Sequence, residues 1–383
     1  MEHTYLQRPR ATLACNLDAN LLQAAHPLLA AGQVEALEWS FDALFQFRDI
    51  PDWFTALLEA YSEEGRLIGH GVFFSLFSGR WHPAQQAWLD RLRSLSEICN
   101  FDHITEHFGF MTGADFHKGA PLGIPFTPQT LRLGQDRLRR ISDAAGCPVG
   151  LENLAFAYTL EEVKRHGEFL EQLLEPVNGF IILDLHNLFC QLHNFEQHAD
   201  DLLRLMPLHR VREIHISGGS WEPAPHNTGR QIRRDTHDEA VPDMVFELLE
   251  KAMPRCPNLK YVVLEQLGSA LQMPEQQRAF QDDFCRMHHL LKRYNEKASV
   301  PVAQNDFQPP AFRIDSTPLS DEKLHQQQLA LSEVLENAES LDAARAQLSV
   351  SPLAGTAWQV EQWQDDMLET ARQIAQKWKG GWG

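Results

Sequence analysis

The sequence has few of the features that mark secreted, membrane-spanning or nucleic-acid-binding proteins. Only six of its 383 residues are cysteines, and no two form a CxxC pair, so neither a disulfide framework nor a cysteine-based zinc site is indicated. No run of about 18 apolar residues occurs, and the opening MEHTYLQRPR has no apolar core of the signal-peptide kind. We therefore expect a cytoplasmic protein that does not enter a membrane.

Basic residues are also scarce relative to acidic ones. The chain has 34 Lys and Arg against 52 Asp and Glu, so its formal charge is −18. This charge disfavours nucleic acid and anionic membranes as partners, because both repel an acidic protein. Hydrophobic residues make up 43% of the chain, a content typical of a soluble globular protein with a sizeable core.

Short apolar runs alternate with segments of helical periodicity along most of the chain. Several runs are apolar nearly throughout, as is typical of strands buried on both faces. Eight such units in series predict an α/β fold, a (β/α)8 TIM-type barrel over residues 1–298. A doubly wound open sheet is the rival, but no GxGxxG follows the first run. The predicted strands are 11–17, 34–40, 67–74, 98–107, 148–154, 180–187, 211–217 and 260–266, and the predicted helices are 20–31, 50–63, 83–95, 129–145, 160–174, 195–206, 241–253 and 274–297.

The composition changes after the eighth unit. Residues 299–318 are rich in proline and lack periodicity, which predicts a linker. Residues 319–383 predict a helical C-terminal extension with helices at 321–348 and 356–379. In the second of these helices, apolar residues recur at helical spacing, and this stripe either packs on the barrel or docks a partner. The stripe consists of Trp358, Trp363, Met367, Ala371, Ile374 and Trp378.

Histidines and carboxylates recur at the predicted strand ends, where the catalytic residues of TIM-type barrels collect. The third to the eighth run each end with one of them, and the loop after the seventh run adds two more. Singly, each has an ordinary explanation, such as a hydrogen-bonded core histidine or a helix cap. The eight candidates are His70, His107, Glu152, Asp184, His215, Asp235, His237 and Glu265.

Together these side chains predict a metal centre. Buried carboxylates must be paired or coordinated, and the chain offers no comparable set of Lys or Arg at the same positions. Histidine with carboxylate suits iron, manganese or zinc rather than calcium or magnesium. Because one catalytic metal commonly takes three protein ligands, eight candidates imply two or more ions. His186 is a reserve candidate, and His103 competes with His107 for the same role.

Six motifs in order resemble a known family. The resemblance is to the multinuclear non-haem iron-dependent oxidative enzymes, a family long catalogued as a domain of unknown function that includes the iron enzyme of methanobactin biosynthesis. It covers roughly residues 10–270. The motifs are TEHFGF (105–110), GLENLAF (150–156), ILDLHNLF (182–189), EIHISGG (213–219), RDTHDEAV (234–241) and VLEQ (263–266).

The resemblance implies a TIM-type barrel that holds two or three irons and uses O₂. It also implies a ribosomally made peptide as substrate, usually modified at cysteine, and a partner protein or extra domain that recognises the peptide leader. The eight candidates named above would be the iron ligands, and Asn153 and Asn187 would support or join them.

One departure from the family bears on the number of irons. Where the family usually has a histidine shortly after the strand-seven histidine, this chain has Ser217, Gly218 and Gly219, and glycine has no ligating side chain. Two and three irons therefore both stay open. Gln266 also stands where the family often has arginine.

Two other functions are compatible with the sequence. A two-metal hydrolase or isomerase of the xylose-isomerase-like barrels, with zinc, manganese or magnesium, would act on a sugar or a phosphoester without O₂. A non-catalytic barrel would instead serve as a binding scaffold through its tryptophan-rich tail. The metal content of the purified protein and its need for O₂ separate these possibilities.

Overall fold

Eight parallel strands close into a barrel in the computed structural model. Each strand pairs with the next along the chain, and the eighth pairs with the first. The predicted TIM-type barrel is therefore confirmed. The structure describes residues 8–46, 50–112, 121–224, 227, 229–297 and 304–380. The barrel strands are β1 (Arg10–Cys15), β2 (Ala36–Trp39), β3 (Leu67–Gly71), β4 (Phe101–His107), β5 (Val149–Glu152), β6 (Phe180–Asp184), β7 (Val211–Ile216) and β8 (Tyr261–Leu264).

Helices follow the strands and cover the outside of the barrel. Local sequence sets their ends: Thr127 accepts a hydrogen bond from the backbone amide of Thr130 at the start of one helix, and Gly146, at φ +65°, ends the same helix. The barrel helices are α1 (Ala19–Ala30), α2 (Asp52–Glu63), α3 (Pro83–Ile98), α4 (Pro128–Ala145), α5 (Leu160–Leu174), α6 (Leu185–Asn194), α7 (Ala199–Leu205), α8 (Asp243–Ala252) and α9 (Pro274–Lys297).

The sixth strand is shorter than its sequence predicts. The predicted run continues to residue 187, but β6 ends at Asp184 and α6 begins at Leu185. The reason is the Asp184 side chain, which caps α6 by accepting a hydrogen bond from the backbone amide of Asn187. His186 and Asn187 therefore lie on the first turn of a helix, and the helix predicted at 195–206 is reduced to α7.

The strand register brings the predicted ligands to one level. His107 on β4 lies alongside Glu152 on β5, and Asp184 on β6 lies alongside His215 on β7. These residues stand at or near the C-terminal ends of their strands, so their side chains reach the barrel mouth. Within the described ranges, no helix has the length and the apolar character needed to cross a membrane.

The C-terminal segment is helical but more broken than predicted. Residues 298–303, at the start of the predicted linker, lie outside the described residues, and 304–321 contain no helix or strand. The single helix predicted at 321–348 is two helices, because the chain turns at residues 338–340 and Ser340 caps the second one. The segment contains α10 (Glu322–Asn337), α11 (Leu341–Ser349) and α12 (Asp365–Trp378).

Two tryptophans of the predicted stripe pack against loops of the barrel. Trp358 and Trp363 precede α12 instead of lying on it, and each is only 3% exposed. The Trp363 ring stacks on Tyr158 with centroids 3.6 Å apart, and the Trp358 ring meets Phe110 edge-on at 6.0 Å. Both partners lie in loops that follow barrel strands. This favours the packing role for the stripe.

Candidate metal centre

The eight predicted ligands converge at the mouth of the barrel. Three groups of three side chains each bring ligand-type atoms within 4.8 Å of one another. Glu152 and Asp184 each belong to two groups, so the groups form one connected cluster, and Asp235 joins it with a carboxylate oxygen 2.8 Å from Nε2 of His237. The groups are His70 with His107 and Glu152, Glu152 with Asp184 and His215, and Asp184 with His237 and Glu265.

Two carboxylates connect the histidines across the mouth. Oε2 of Glu152 lies 3.1 Å from Nε2 of His107 and 3.6 Å from Nε2 of His70. On the opposite side, the carboxylate of Glu265 lies 3.3 Å from Nδ1 of His215 and 3.8 Å from Nδ1 of His237. Four histidines therefore point ring nitrogens at two acidic groups, an arrangement that divalent cations between them would stabilise.

Six buried atoms of this cluster form no hydrogen bond of good geometry among the described residues, although Oε2 of Glu152, Nδ1 of His215 and Nε2 of His237 lie 2.8–3.3 Å from a ring nitrogen or a carboxylate oxygen. Buried polar atoms in native proteins are usually satisfied, and a ligand at the barrel mouth would satisfy these six. Each of the six is a histidine nitrogen or a carboxylate oxygen, the donor types that bind iron, manganese or zinc. The residues present therefore fit a centre of two or more such ions. The atoms are Nε2 of His70, Nδ1 of His107, Oε2 of Glu152, Oδ2 of Asp184, Nδ1 of His215 and Nε2 of His237.

The electrostatics of the mouth also favour cations. Burial, together with the neighbouring Asp184, raises the pKa of Glu152 well above its usual value. Burial, together with Asp235, raises the pKa of Asp184 to about 7. Both carboxylates are thus destabilised as anions in this environment, and a bound cation reverses that penalty.

A threonine on β4 fixes the tautomer of His70. The hydroxyl of Thr105 lies 2.8 Å from Nδ1 of His70 and donates its only proton to the carbonyl oxygen of Gly69 at 3.2 Å. With its proton donated to Gly69, Thr105 accepts from Nδ1–H of His70. Burial, with His107 nearby, lowers the pKa of His70 well below its usual value, so the ring is neutral. Its free nitrogen is then Nε2, which faces Glu152.

Two asparagines support the acidic ligands. Asn187 donates from its side chain to Oε1 of Glu152 at 2.9 Å and to the carbonyl oxygen of Asn153 at 2.8 Å. Asn153 in turn accepts from the backbone amide of Asp184 at 2.8 Å and donates to its carbonyl oxygen at 3.2 Å. Asn153 and Asn187 therefore hold Asp184 and Glu152 in a supporting role, while Oδ1 of Asn187 is buried without a hydrogen-bond partner among the described residues and is available as a further ligand atom.

His186 contacts the cluster through Asp235. Arg233 can only donate, and its Nε lies 3.0 Å from Nε2 of His186, so Nδ1 of His186 carries the proton. That nitrogen lies 3.2 Å from Oδ1 of Asp235 and donates to it. Both ring nitrogens are engaged by protein partners, so in this structure His186 orients Asp235. The neighbouring His237 has φ +51°, a rare backbone conformation, and its carbonyl oxygen accepts from the amide of Leu267 at 2.9 Å.

Gly219 has no room for a side chain. A Cβ there would lie 2.2 Å from the carbonyl oxygen of Arg234 and 2.8 Å from Cε1 of His186. Two parts of the loop after β7 lie close to each other and to α6 at this point, so the position requires glycine. A ligand at this position would need a different path for the backbone.

Two buried acidic residues that are not among the predicted ligands, Glu38 on β2 and Glu213 on β7, form a fourth group with His215. The position of Glu213 could have been predicted from the sequence. It lies two residues before His215, and residues two apart point to the same face of a strand. The structure also separates the two competing histidines of β4. His107 reaches the mouth, whereas His103 lies deeper, with Nε2 2.7 Å from Oε2 of Glu213.

An eight-stranded α/β barrel whose mouth gathers histidines and carboxylates is the architecture of a TIM-barrel enzyme. The chain belongs, more specifically, to the family described as RiPP precursor modification enzyme MbnB/TglH/ChrH, whose model matches residues 45–281. The resemblance found in the sequence motifs is thereby confirmed at the level of the family.

Curated relatives carry only a family designation. A UPF0276 protein of Shewanella loihica is 25% identical over 188 residues, which cover 49% of this chain and 64% of that protein. A UPF0276 protein of Caulobacter vibrioides is 25% identical over 200 residues, which cover 52% of this chain and 68% of that protein. The chain thus spans about two thirds of the length of these relatives.

Solved structures with a similar fold include an L-ribulose 3-epimerase. It matches at a TM-score of 0.49 with 11% identity, covering 76% of this chain and 96% of that chain. A xylose isomerase-like TIM-barrel protein from Mycobacterium smegmatis in complex with magnesium matches at a TM-score of 0.45 with 13% identity, covering 76% of this chain and 100% of that chain.

Proposed function

We propose that this protein is a multinuclear iron-dependent enzyme that uses O₂ to modify a ribosomally made peptide at cysteine. The observation that carries the proposal is the convergence of histidine and carboxylate ligand atoms at the barrel mouth, within 4.8 Å of one another in each of three overlapping groups. Membership of a family of RiPP precursor modification enzymes supports a peptide substrate. The mixed donor set suits iron that reacts with O₂.

In this proposal each of the three overlapping groups of ligands holds one ion. His70, His107 and Glu152 would hold one ion, and Glu152, Asp184 and His215 would hold a second. Asp184, His237 and Glu265 form the third group, with Asp235 beside it, so a third ion would not depend on position 219. When bound, iron would supply O₂ activation and would favour the thiolate form of a substrate cysteine.

The chain's own residues orient these ligands. Thr105 holds the proton of His70 on Nδ1, and Asn187 holds Glu152 by a hydrogen bond to Oε1. Asp235 is held by His186, which is fixed in turn by Arg233. These contacts fix the orientation of the ligand side chains before a cation binds.

Two short hairpins give the mouth an edge on which a peptide can lie. One pairs Phe110–Met111 with Pro121–Leu122, and the other pairs Trp221–Pro223 with Gln231–Arg233. They follow β4 and β7, so they stand at the C-terminal face of the barrel. Trp221 remains 39% exposed and offers an aromatic surface beside the mouth.

The test is to co-express the chain with a cysteine-containing precursor peptide and to compare the peptide's mass with and without O₂. We expect iron in the anaerobically purified protein and an O₂-dependent change of mass at the peptide cysteine. Turnover of a sugar or phosphoester with zinc or manganese under strict anoxia would favour a two-metal hydrolase or isomerase instead. Unchanged cellular activity after Asp235→Ala and His237→Ala would indicate a non-catalytic scaffold.

A further inference from the structure

A row of ionisable side chains lies beneath the candidate metal centre, inside the barrel. Nε2 of His215 is 3.1 Å from Oε1 of Glu213 and 3.2 Å from Oε2 of Glu38. All three side chains are at most 1% exposed. They are therefore shielded from water and face away from the mouth, on the side of His215 opposite to Glu265.

The row continues toward the opposite end of the barrel. The second oxygen of Glu213, Oε2, lies 2.7 Å from Nε2 of His103. Nδ1 of His103 lies 3.1 Å from Oδ2 of Asp102 and accepts a hydrogen bond from Nε of Arg212 at 3.3 Å. Asp102 accepts from Arg212 at 2.8 Å and from Lys260, so it is anchored by two cationic groups. His215, Glu213 and His103 thus form a continuous buried chain, and Arg212 joins His103 to the half-buried Asp102 at its end.

This chain determines which nitrogen of His215 can bind a metal. A carboxylate only accepts hydrogen bonds, so the Nε2 atom that faces Glu213 must carry the proton. Nδ1 lies 3.3 Å from Oε2 of Glu265 without forming a hydrogen bond of good geometry, and a cation bound between these two atoms would take the place of a proton on Nδ1. A carboxylate behind a ligating imidazole fixes its orientation and increases its basicity.

We propose that Glu213 is a positioning residue that holds His215 with its proton on Nε2 and its Nδ1 toward the metal, and that His103 and Asp102 hold Glu213 in place. The inference rests on the metal centre of the proposed function. It assigns to Glu213 a role that the ligand set itself does not contain, and it makes His215 an Nδ1 ligand, in contrast to His70, whose free nitrogen is Nε2.

Zn²⁺ is a suitable probe because it is diamagnetic and accepts the same ligands. In the zinc-loaded, ¹⁵N-histidine-labelled full-length protein, NMR should show His215 metal-bound at Nδ1 and protonated at Nε2, with the signals assigned from a His215→Asn variant. A metal bond at Nε2 would overturn the inference. This measurement uses the wild-type protein and so does not depend on how any variant of Glu213 folds.

Substitution tests the energetic part of the inference. Glu213→Gln keeps the shape of the side chain but removes the charge, and we expect the Zn²⁺ dissociation constant to rise about 10- to 100-fold. Glu369→Gln is the matched control, because Glu369 is a glutamate of α12, 5% exposed and paired with Arg372 outside the barrel. Equal Zn²⁺ affinity in Glu213→Gln and the control would overturn the inference and leave the metal centre intact. A wild-type protein that binds no metal would instead overturn the proposed function.

Discussion

Replacing Thr105 by valine tests how the metal-facing nitrogen of His70 is set. The substitution keeps the branched shape but removes the hydroxyl that accepts from Nδ1–H of His70 at 2.8 Å, at a place where both side chains are 1% exposed. An unsatisfied buried donor costs about 1–3 kcal/mol. Without metal, His70 can shift its proton to Nε2, which lies 3.6 Å from Glu152, and so avoids part of this cost.

A metal bound to Nε2 prevents this shift of the proton. The substitution therefore costs more free energy in the metal-loaded protein than in the metal-free protein. We expect Thr105→Val to weaken Zn²⁺ binding about 10- to 100-fold, which corresponds to about 1.4–2.7 kcal/mol. Competition with a chelator measures the affinity, and denaturation of the metal-free protein measures the smaller loss of stability. Thr105→Ser keeps the hydroxyl and serves as the control. A folded Thr105→Val protein that binds Zn²⁺ as tightly as wild type would show that Thr105 does not set the metal-facing nitrogen of His70.

Three further predictions address the loop after β7, the C-terminal extension and the response to pH. A Cβ at Gly219 would clash with the carbonyl oxygen of Arg234, so Gly219→Ala should destabilise the fold by about 1–3 kcal/mol in denaturation experiments, and a Gly219→His variant with an additional metal would contradict this account of the position. Trp363→Ala removes a buried ring that stacks on Tyr158, so it should lower the free energy of unfolding by about 3–5 kcal/mol; unchanged stability would mean that the stripe does not hold the extension to the barrel. Burial lowers the pKa of His166 to about 4 from 6.5, so the unfolded chain binds more protons between these values, and stability should fall by about 1–3 kcal/mol as the pH drops through that range. His166→Gln should flatten this part of the profile, and an identical profile for both proteins would show that another group is responsible.

The barrel was predictable because each of its units has a local signature. Strands buried on both faces appear as apolar runs, and the helices between them show their own periodicity. The candidate ligands were predictable for a related reason, since the ends of parallel strands meet at one face whatever their separation in sequence. Errors fall where a single side chain overrides the pattern. Asp184 caps α6 and ends its strand early, and Ser340 starts a second helix where the pattern shows one.

The deeper part of the site depends on contacts that no local pattern contains. Glu38 and Glu213 come from distant strands and meet only at His215. The tautomers of His70 and His186 depend on their hydrogen bonds with Thr105 and Arg233. These partners are far away in the chain, so only the structure shows the contacts. Residue types at strand ends therefore indicated a metal centre, but they could not show which atoms face it.

The most direct test of the central claim is the metal content of the anaerobically purified full-length protein, determined by elemental analysis together with Mössbauer spectroscopy. We expect two or three irons per chain in sites with nitrogen and oxygen ligands. We also expect the combined substitution of Glu152 and Asp184 by alanine to remove them, because these two residues connect the three groups. A folded wild-type protein that retains no iron after anaerobic loading would mean that the barrel mouth is not an iron centre.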